Sequence, residues 1–423
     1  MKSRRAFLLS SGSALSASTL RAETTPSSWP PRLLYNNDGN DSPEQPVTAA
    51  SFLAARTQGL EKSGIDAVAY CTGGFNHYTH RSELSQIHDY DGPVEGPNQT
   101  SFRWVTDLHT QGLDPIELVQ QFSHENGRPC FWSMRMNDTH DSRSHIDRPH
   151  AENPWKEAHR DLLMRPEPQP MPWGWFLARS WNWSAVDYEH EEVRALVFRI
   201  VEDVITRFQL DGIELDFTRF PIYFRPQTEG KSVPQASANL MTSLVAKIRR
   251  LLDETAKESG RTHRLIVRIP DSIDFCREIG LDVTAWLKQG LPDLIVAGGD
   301  FQLRPWSEIV ESCHKHNKPV LASLNATSIG FDPKAWRQLA LDAWEQGVDG
   351  IATFNFFHPD HSLMDQLHDP EKCRSNPRID RYELSPLNQK MIRSLSTLVK
   401  GGERFLHPSI RERWINPPEF FRS

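Results

Sequence analysis

Two acidic side chains alternate with apolar ones in residues 210–217, whose sequence is LDGIELDF. In a β-strand, side chains two residues apart project to the same face, so Glu214 and Asp216 share one face and the apolar residues between them share the other. Burying two acids costs free energy unless they are paired, hydrogen-bonded or used in a reaction. The pattern predicts carboxyl groups that act as nucleophile, acid or base. The alternative is a structural ion pair with Arg219 or Arg268.

A second group of polar side chains lies at the ends of other apolar segments or in the long connections between them. Amides, carboxylates and arginines that converge on one place can bind a polyhydroxylated ligand, and arginine can also hold an anionic group through two hydrogen bonds. Tryptophans cluster in residues 155–183, where they either stack on sugar rings or form the core of their own loop. The predicted binding residues are Asn36, Asp38, His77, Arg135, Asn137, Asp138, His140, Trp181, Arg219, Arg268 and Asn355.

Eight short apolar segments must position these side chains. Helical patterns with apolar residues every three to four positions lie between them, most clearly at 191–208, 236–258, 306–316 and 334–346. Strands that read as nearly continuous apolar runs and alternate with helices are typical of a closed parallel sheet, so we expect an α/β fold of the (β/α)8 barrel type. The predicted strands are 32–38, 67–73, 129–138, 212–217, 265–270, 294–299, 319–324 and 350–356.

The length of 423 residues exceeds that of a simple barrel of about 250 residues. We expect most of the surplus in two long insertions, 74–110 after the second strand and 139–187 after the third. Barrel enzymes carry their chemistry in the loops that follow the strands, so these insertions are predicted to shape the site. Residues 30–385 are assigned to the barrel. Residues 386–423 are assigned to a C-terminal helix, at 387–399, and a tail packed on the barrel.

The motif at residues 211–216, DGIELD, together with Arg219, resembles the family-10 glycosyl-hydrolase-like barrels, a largely uncharacterised bacterial group distinct from the xylanases. The asparagine-rich end of the first predicted strand, the segment 135–141 (RMNDTHD) and the segment 348–351 (VDGI) share the resemblance, which extends over about residues 32–360. It implies a TIM barrel that acts on glycans.

The same motif also resembles the D-G-x-D-x-D-x-E strand of the chitinase-like family 18 enzymes. Here Thr218 stands where that family has its acid. A threonine cannot donate the proton that substrate-assisted cleavage requires, so the family 18 mechanism is not expected.

Cleavage of a glycosidic bond ordinarily needs two carboxyl groups, one protonated and one ionised. Asp216 is predicted to be the nucleophile or base. Asp300 is the first candidate for its partner because it follows the sixth predicted strand and two glycines that would let a ligand approach the backbone. Asp138, Asp141 and Glu214 remain rivals for the acid. The alternative role for Asp300 is a helix N-cap.

The composition excludes several classes of function. A formal net charge of −7 and a pI near 6.2 lack the basic excess that nucleic-acid binding requires. No run of about 18 apolar residues could span a membrane. Five cysteines without C-x-x-C spacing indicate neither a disulfide framework nor a zinc knuckle. The composition does not exclude a neutral partner such as a carbohydrate. The resemblance implies an oligo- or polysaccharide as the expected partner, and oligomeric state is left open.

Residues 1–22 have the three-part layout of an export signal, with Arg4 and Arg5 before a weakly apolar, Ser- and Ala-rich stretch. Paired arginines at this point are typical of the twin-arginine route, which exports folded proteins. A periplasmic or extracellular location is predicted, with a disordered N-terminus as the alternative.

Histidines and aspartates are plentiful in the two long insertions, and His77 and His80 have H-x-x-H spacing. No H-E-x-x-H motif or strand-borne His-x-His motif accompanies them, so we expect neither a catalytic metal nor another cofactor.

Taken together, the acidic pair, the polar strand ends, the resemblance and the N-terminal segment predict an exported glycoside hydrolase. The alternatives are a non-catalytic glycan-binding barrel and a metal-dependent hydrolase.

Overall fold

The computed structural model describes most of the chain between residues 29 and 412. The described residues are 29–39, 42–87, 103–143, 152–165, 182–299, 302–325, 330, 332–356, 360–379, 399 and 401–412. The predicted export signal lies outside these ranges, as do all of the predicted C-terminal helix except Val399 and most of the predicted tail.

Eight parallel strands form a closed barrel in which each strand pairs with the next along the chain and the last pairs with the first. This confirms the predicted (β/α)8 fold and all eight predicted strands. The strands are β1 Leu33–Asn37, β2 Ala67–Tyr70, β3 Cys130–Arg135, β4 Gly212–Asp216, β5 Arg264–Ile269, β6 Leu294–Ala297, β7 Val320–Asn325 and β8 Gly350–Phe354.

Helices surround the barrel and cover its outer face with apolar side chains. The four clearest helical patterns in the sequence, at 191–208, 236–258, 306–316 and 334–346, are confirmed as helices. The helices are α1 Ala49–Thr57, α2 Arg103–Thr110, α3 Pro115–Glu125, α4 Pro154–Ala158, α5 Glu191–Arg207, α6 Gln235–Ser259, α7 Ile273–Glu278, α8 Val283–Lys288, α9 Trp306–His314, α10 Pro333–Glu345, α11 His361–His368, α12 Pro370–Arg374 and α13 Pro408–Glu412. None of the helices in the described ranges is long and apolar enough to cross a membrane.

Long insertions follow β2 and β3, as predicted. The insertion after β2 contains a three-stranded sheet formed by Gly73–Gly74, His77–Tyr78 and Gln86–Ile87. The segment 401–412 lies against the barrel, where the Phe405 ring is 5.4 Å from that of Phe275 in α7. All five cysteines are buried and free.

The inside of the barrel is apolar in its lower half, toward the start of the strands. A cluster of side chains from seven strands fills this part, and Trp29 packs against it from below. Its members are Leu34, Ala67, Ala69, Phe131, Ile266, Leu294, Val296, Leu321 and Ala352. The polar residues of the strands therefore lie toward the carboxyl end, which is where barrel enzymes have their active sites.

An aspartate immediately precedes each even-numbered strand and binds the start of the strand before it. Asp211 accepts a hydrogen bond from the backbone N–H of Cys130 at 2.8 Å, and Asp293 accepts one from Leu265 at 2.9 Å. The other two are Asp66, which binds Arg32 and Leu33, and Asp349, which binds Val320. These carboxylates hold four strand pairs in register, a role that the sequence analysis did not identify.

Each of these four aspartates also faces a basic side chain. The partners are His368 for Asp66, His124 for Asp211, Arg249 for Asp293 and His314 for Asp349. The carboxylates are thus bound on one side by a strand N–H and on the other by a cation or imidazole. These contacts lie at the end of the barrel where the strands begin.

Replacing Asp293 with alanine is expected to lower the free energy of unfolding by about 2 kcal/mol, since it leaves the Leu265 N–H without its acceptor and removes the 2.6 Å ion pair with Arg249. Urea unfolding measures the change. Asp253 is a matched control because it pairs with the same arginine at 2.8 Å but is 55% exposed, and its replacement by alanine should change stability by less than about 0.5 kcal/mol. Equal losses in the two variants would contradict a role for the strand contact.

Candidate active site

The side chains of Glu214 and Asp216 both project into the barrel from β4, as the alternation predicted. Glu214 Oε1 accepts hydrogen bonds from Asn36 Nδ2 on β1 and from Ser133 Oγ on β3, each at 2.6 Å. Because β1 and β4 are not neighbours, the bond to Asn36 crosses the barrel interior. Ile213 belongs instead to the core outside the barrel.

Glu214 is fully buried, and this changes its acidity. Burial, chiefly, and the charge of Asp216 raise the pKa of Glu214, whereas Arg268 and the hydrogen bonds from Ser133 and Asn36 lower it, and together they bring the pKa to about 7. Its second oxygen, Oε2, has no hydrogen-bond partner among the described residues. Glu214 is therefore a carboxyl group that can hold a proton near neutral pH and has an oxygen available to donate it.

Asp216 lies in a different environment on the same strand. Its Oδ1 accepts hydrogen bonds from the backbone N–H and the hydroxyl of Thr218, both at 2.7 Å, and its Oδ2 pairs with Arg268 at 3.0 Å. The aspartate and the arginine are both buried. Thr218 stands where the family 18 enzymes have their catalytic acid, and in this protein it orients Asp216. These contacts suit a carboxylate anion of fixed orientation.

Arg268 is held in place by an aromatic ring. Its guanidinium carbon lies 3.9 Å from the centre of the Phe354 ring on β8, and Nη2 is 3.5 Å from the hydroxyl of Ser323 on β7. The cation–π contact and the ion pair with Asp216 fix the guanidinium across the barrel. The ion pair weighed in the sequence analysis therefore forms with Arg268.

Arg135 lies between two acids at the ends of β1 and β3. Its Nη2 is 3.1 Å from Asp38 Oδ2, and its Nη1 donates to Asp138 Oδ2 at 2.9 Å. Burial raises the pKa of Asp138, but His140 and Arg135 outweigh it and hold the pKa well below its usual range. Asp138 is therefore an anion and is unsuited to donate a proton, which removes it as a rival for the acid.

Asp141 is engaged by a buried lysine. Lys156 Nζ donates to Asp141 at 2.7 Å and to the backbone oxygen of Asp138 at 2.6 Å. Burial raises the pKa of Asp141, and Lys156 opposes that rise. The pair joins the start of the insertion after β3 to α4, a structural role that disfavours Asp141 as the acid.

The asparagines predicted to bind substrate fall into two groups. The amide of Asn137 donates to the backbone oxygens of Val186 and Ile222 and accepts from the N–H of Val186. The structure therefore assigns Asn137 to holding two loops in place. Asn36 and Asn355 are buried, and the Oδ1 of each has no partner among the described residues.

Among the buried polar atoms near the carboxyl end of the barrel, at least five lack hydrogen-bond partners within the residues that the structure describes. Acceptors and donors are both present, and they come from β1, β3, β4, β5 and the residue that follows β8. The atoms are Asn36 Oδ1, Arg135 Nε, Glu214 Oε2, Arg268 Nε and Asn355 Oδ1. A buried polar atom without a partner costs free energy, and a ligand with several hydroxyl groups can serve donors and acceptors together.

Two further predicted binding residues, His77 and Arg219, lie in the loops. His77 Nε2 is 3.2 Å from the backbone oxygen of Ile87 in the small sheet. The Arg219 guanidinium lies between two rings, 5.9 Å from the centre of Phe220 and 5.7 Å from that of Phe354. Arg219 thus lies beside the catalytic candidates, whereas His77 stabilises the insertion after β2.

Asp300 and Trp181 lie outside the described residues, so the structure does not place them. Gly299, directly before Asp300, has a packing role, because a Cβ on Gly299 would lie 2.7 Å from the Cβ of Thr218.

Trp183 is buried and donates to the backbone oxygen of Ser142, so it belongs to the core of its loop. Trp155 stacks on His159, with ring centres 4.6 Å apart.

The sequence analysis missed Asp271, a buried acid that follows β5. Burial raises the pKa of Asp271 to about 7, against hydrogen bonds from the backbone N–H groups of Arg304 and Leu303 that lower it. Both carboxylate oxygens accept these bonds, at 2.8–3.0 Å. Asp271 therefore anchors the segment after β6, and an acid directly after a predicted strand was the signal that could have revealed it.

Within the described ranges, no group of three or more His, Cys, Asp or Glu side chains is arranged to hold a metal ion. His80, which shares the H-x-x-H spacing, is buried against Tyr78 and Trp132, and burial lowers its pKa to about 3.

No family model matches the sequence, and no curated protein matches it. Solved structures similar to this chain include alpha-L-fucosidase isoenzyme 2 from Paenibacillus thiaminolyticus, with 13% identity over 80% of this chain and 48% of that chain and a TM-score of 0.45. The PgaB (BpsB) glycoside hydrolase domain from Bordetella bronchiseptica has 11% identity over 80% of this chain and 98% of that chain, with a TM-score of 0.48. A family 18 N-acetylglucosaminidase from Paenibacillus barengoltzii has 12% identity over 79% of this chain and 98% of that chain, with a TM-score of 0.43. The chain spans about half the length of the fucosidase.

Proposed function

We propose that this protein is a glycoside hydrolase that cleaves O-glycosidic bonds of an oligo- or polysaccharide at the carboxyl end of the barrel. The observation that carries the proposal is the contrast between two carboxyl groups on one strand. Glu214 has a pKa of about 7 and an unpartnered oxygen, whereas Asp216 is paired with Arg268. Two acids whose environments differ in this way are typical of general acid and base or nucleophile pairs.

In the proposed reaction, protonated Glu214 gives its proton to the glycosidic oxygen as the bond to the anomeric carbon breaks. The Asp216 carboxylate either attacks the anomeric carbon or takes a proton from the water that attacks it. The first route ends with water hydrolysing a glycosyl ester on Asp216. In that step the proton of the water passes to Glu214, so both groups return to their starting state. The second route leaves the proton on Asp216 and Glu214 ionised, and proton exchange with solvent restores both.

The unpartnered polar atoms support a sugar as the ligand. Asn36 and Asn355 present carbonyl oxygens that accept from hydroxyl groups, and Arg135 and Arg268 present Nε–H groups that donate to them. Asn36 also binds Glu214, so a ligand hydroxyl on Asn36 would lie beside the proposed acid. We also propose membership of the family-10 glycosyl-hydrolase-like group, on the sequence motifs that resemble it.

A non-catalytic glycan-binding barrel is the second candidate, and one observation favours it. Asp216 accepts three hydrogen bonds from protein groups, so its oxygens are largely engaged. The described residues provide no observation that favours a metal-dependent hydrolase.

Release of reducing ends from a panel of neutral, uronic-acid and sulfated polysaccharides tests the proposal. Cleavage of at least one polymer by the wild-type protein, and none by a Glu214→Gln variant, is the expected result. Binding of a polymer without release of reducing ends would instead support the binding barrel.

We further propose that the protein is exported by the twin-arginine route and acts in the periplasm or outside the cell. Replacing Arg4 and Arg5 together by lysine should then leave the protein in the cytoplasmic fraction, since this route requires the arginine pair. Immunoblots of cell fractions measure the distribution. An unchanged distribution in the variant would refute this route.

A further inference from the structure

Two successive glycines, Gly298 and Gly299, follow β6 and leave room for two other side chains. A Cβ on Gly298 would lie 3.1 Å from the ring of Trp306, and a Cβ on Gly299 would lie 2.7 Å from the Cβ of Thr218. Carbon atoms in van der Waals contact are about 3.5–4.0 Å apart. No side chain therefore fits at residue 299 while Thr218 keeps its position.

Thr218 belongs to a different loop, the one that follows β4, and β5 lies between β4 and β6 in the barrel. The turn after β6 thus reaches over the end of β5 to contact Thr218. This threonine is 6% exposed, and its backbone N–H and its hydroxyl both donate to Asp216 Oδ1 at 2.7 Å. Gly299 therefore contacts the residue that orients the proposed nucleophile or base.

The turn after β6 is itself held in place on either side of Gly299. The backbone N–H of Gly298, whose φ angle is +100°, donates to the oxygen of Ile269 at the end of β5 at 2.8 Å. Further along the same segment, the N–H of Leu303 donates to the buried Asp271 at 2.9 Å. Trp306, which packs under Gly298, is also buried. A side chain added at residue 299 would therefore displace Thr218 rather than the turn.

Rotation of the Thr218 side chain cannot relieve this contact, because its Cβ is bonded directly to the backbone. The backbone of Thr218 would have to move, and it carries one of the two donors to Asp216 Oδ1. The hydroxyl, which is the other donor, would move with it. A shift of about 1 Å in a group that orients a reacting side chain can lower the rate about 100-fold.

We propose that Gly299 is a positioning residue: because it has no side chain, Thr218 can pack against the turn after β6 and hold Asp216 in the orientation that the reaction requires. The inference rests on the proposed function and extends the positioning of Asp216 from β4 and β5 to the turn after β6. The space at Gly299 is occupied by Thr218, which accounts for this glycine without a ligand.

Urea unfolding tests the contact without any substrate. The wild-type protein, Gly299→Ala, Thr218→Gly and the double variant are compared. Gly299→Ala should lower the unfolding midpoint by about 0.5 M or more in the wild-type background, since the added Cβ overpacks the contact. It should not lower the midpoint in the Thr218→Gly background, which has no Cβ at residue 218. An equal fall in both backgrounds would overturn the proposal.

Cleavage of the best polymer of the panel tests the positioning role. Gly299→Ala should lower kcat about tenfold or more and change KM by less than about twofold, since Asp216 loses its orientation while the ligand-binding groups remain. Thr218→Val keeps nearly the same shape but lacks the hydroxyl, and it should divide its effect between kcat and KM in the same way. In the Thr218→Gly background, Gly299→Ala should cause no further fall in kcat.

Gly64→Ala, in the loop before β2, is the control. A Cβ on Gly64 would lie 2.8 Å from Asp365 Oδ1, so this variant introduces a close contact at the other end of the barrel and should leave kcat unchanged. A wild-type kcat in Gly299→Ala would overturn the inference and leave the proposed hydrolase standing. Coupled unfolding midpoints without cleavage by the wild-type protein would instead refute the hydrolase, and with it the catalytic part of the inference.

Discussion

Replacing Glu214 with glutamine is expected to lower kcat/KM for glycan cleavage by about 10³-fold or more while changing the affinity for the glycan only a few fold. Glutamine keeps an oxygen for the hydrogen bonds from Asn36 and Ser133, so the barrel interior is preserved. It has no acidic proton to give to the leaving group. Initial rates of reducing-end release and calorimetric binding measure the two effects.

The pH dependence of the wild-type protein follows from the same carboxyl group. Because the acid must be protonated and burial raises the pKa of Glu214 to about 7, kcat/KM should fall as the pH rises through about 7. Replacing Ser133 with alanine removes a hydrogen bond that lowers this pKa, so the fall should move to higher pH. A fall at the same pH in both proteins would indicate that another group is the acid.

Stability gives a readout that needs no substrate. The pKa of Glu214 is raised from an ordinary 4.5 to about 7, so its contribution to stability is fully present below about pH 4.5 and is lost as the pH rises through about 7. This contribution is on the order of 3 kcal/mol. As the pH rises from about 4.5 to above about 7, the free energy of unfolding of the Glu214→Gln variant should therefore fall less than that of the wild-type protein, as measured by urea unfolding. Glu117→Gln, at an exposed position on α3, is the control and should follow the wild-type curve.

The strand pattern was sufficient to predict the barrel and the position of the acidic pair. Alternation in residues 210–217 is a local property of the chain, and it placed Glu214 and Asp216 together inside the barrel. The eight apolar runs likewise needed no knowledge of distant contacts. Each segment alone carried the signal that fixed its secondary structure.

The division of roles between the acids could not be predicted, because it depends on residues far apart in the chain. Asn36, which binds Glu214, is 178 positions away from it. Thr218 is close in sequence, but its bonds to Asp216 depend on how the chain turns after β4. The same applies to Phe354, whose ring orients Arg268 only because the barrel closes.

Replacing Asp216 with asparagine is expected to abolish cleavage for two reasons that act together. The variant lacks the carboxylate that attacks the anomeric carbon or activates water, and kcat/KM should fall by about 10³-fold or more. The charge of Asp216 also raises the pKa of Glu214, so its removal lowers that pKa and leaves less of the acid protonated at neutral pH. If kcat/KM of the variant is measurable, it should fall at a lower pH than kcat/KM of the wild-type protein.

Stability separates this catalytic effect from the loss of the buried ion pair. Asp216→Asn leaves the buried guanidinium of Arg268 without its carboxylate and should lower the free energy of unfolding by about 3 kcal/mol. In the double variant Asp216→Asn with Arg268→Met, no unpaired cation remains, so most of this stability should return while cleavage stays lost. Recovery of cleavage in the double variant would mean that Asp216 serves only to neutralise Arg268. Stability regained without activity would instead show that the loss of cleavage does not follow from the unpaired cation.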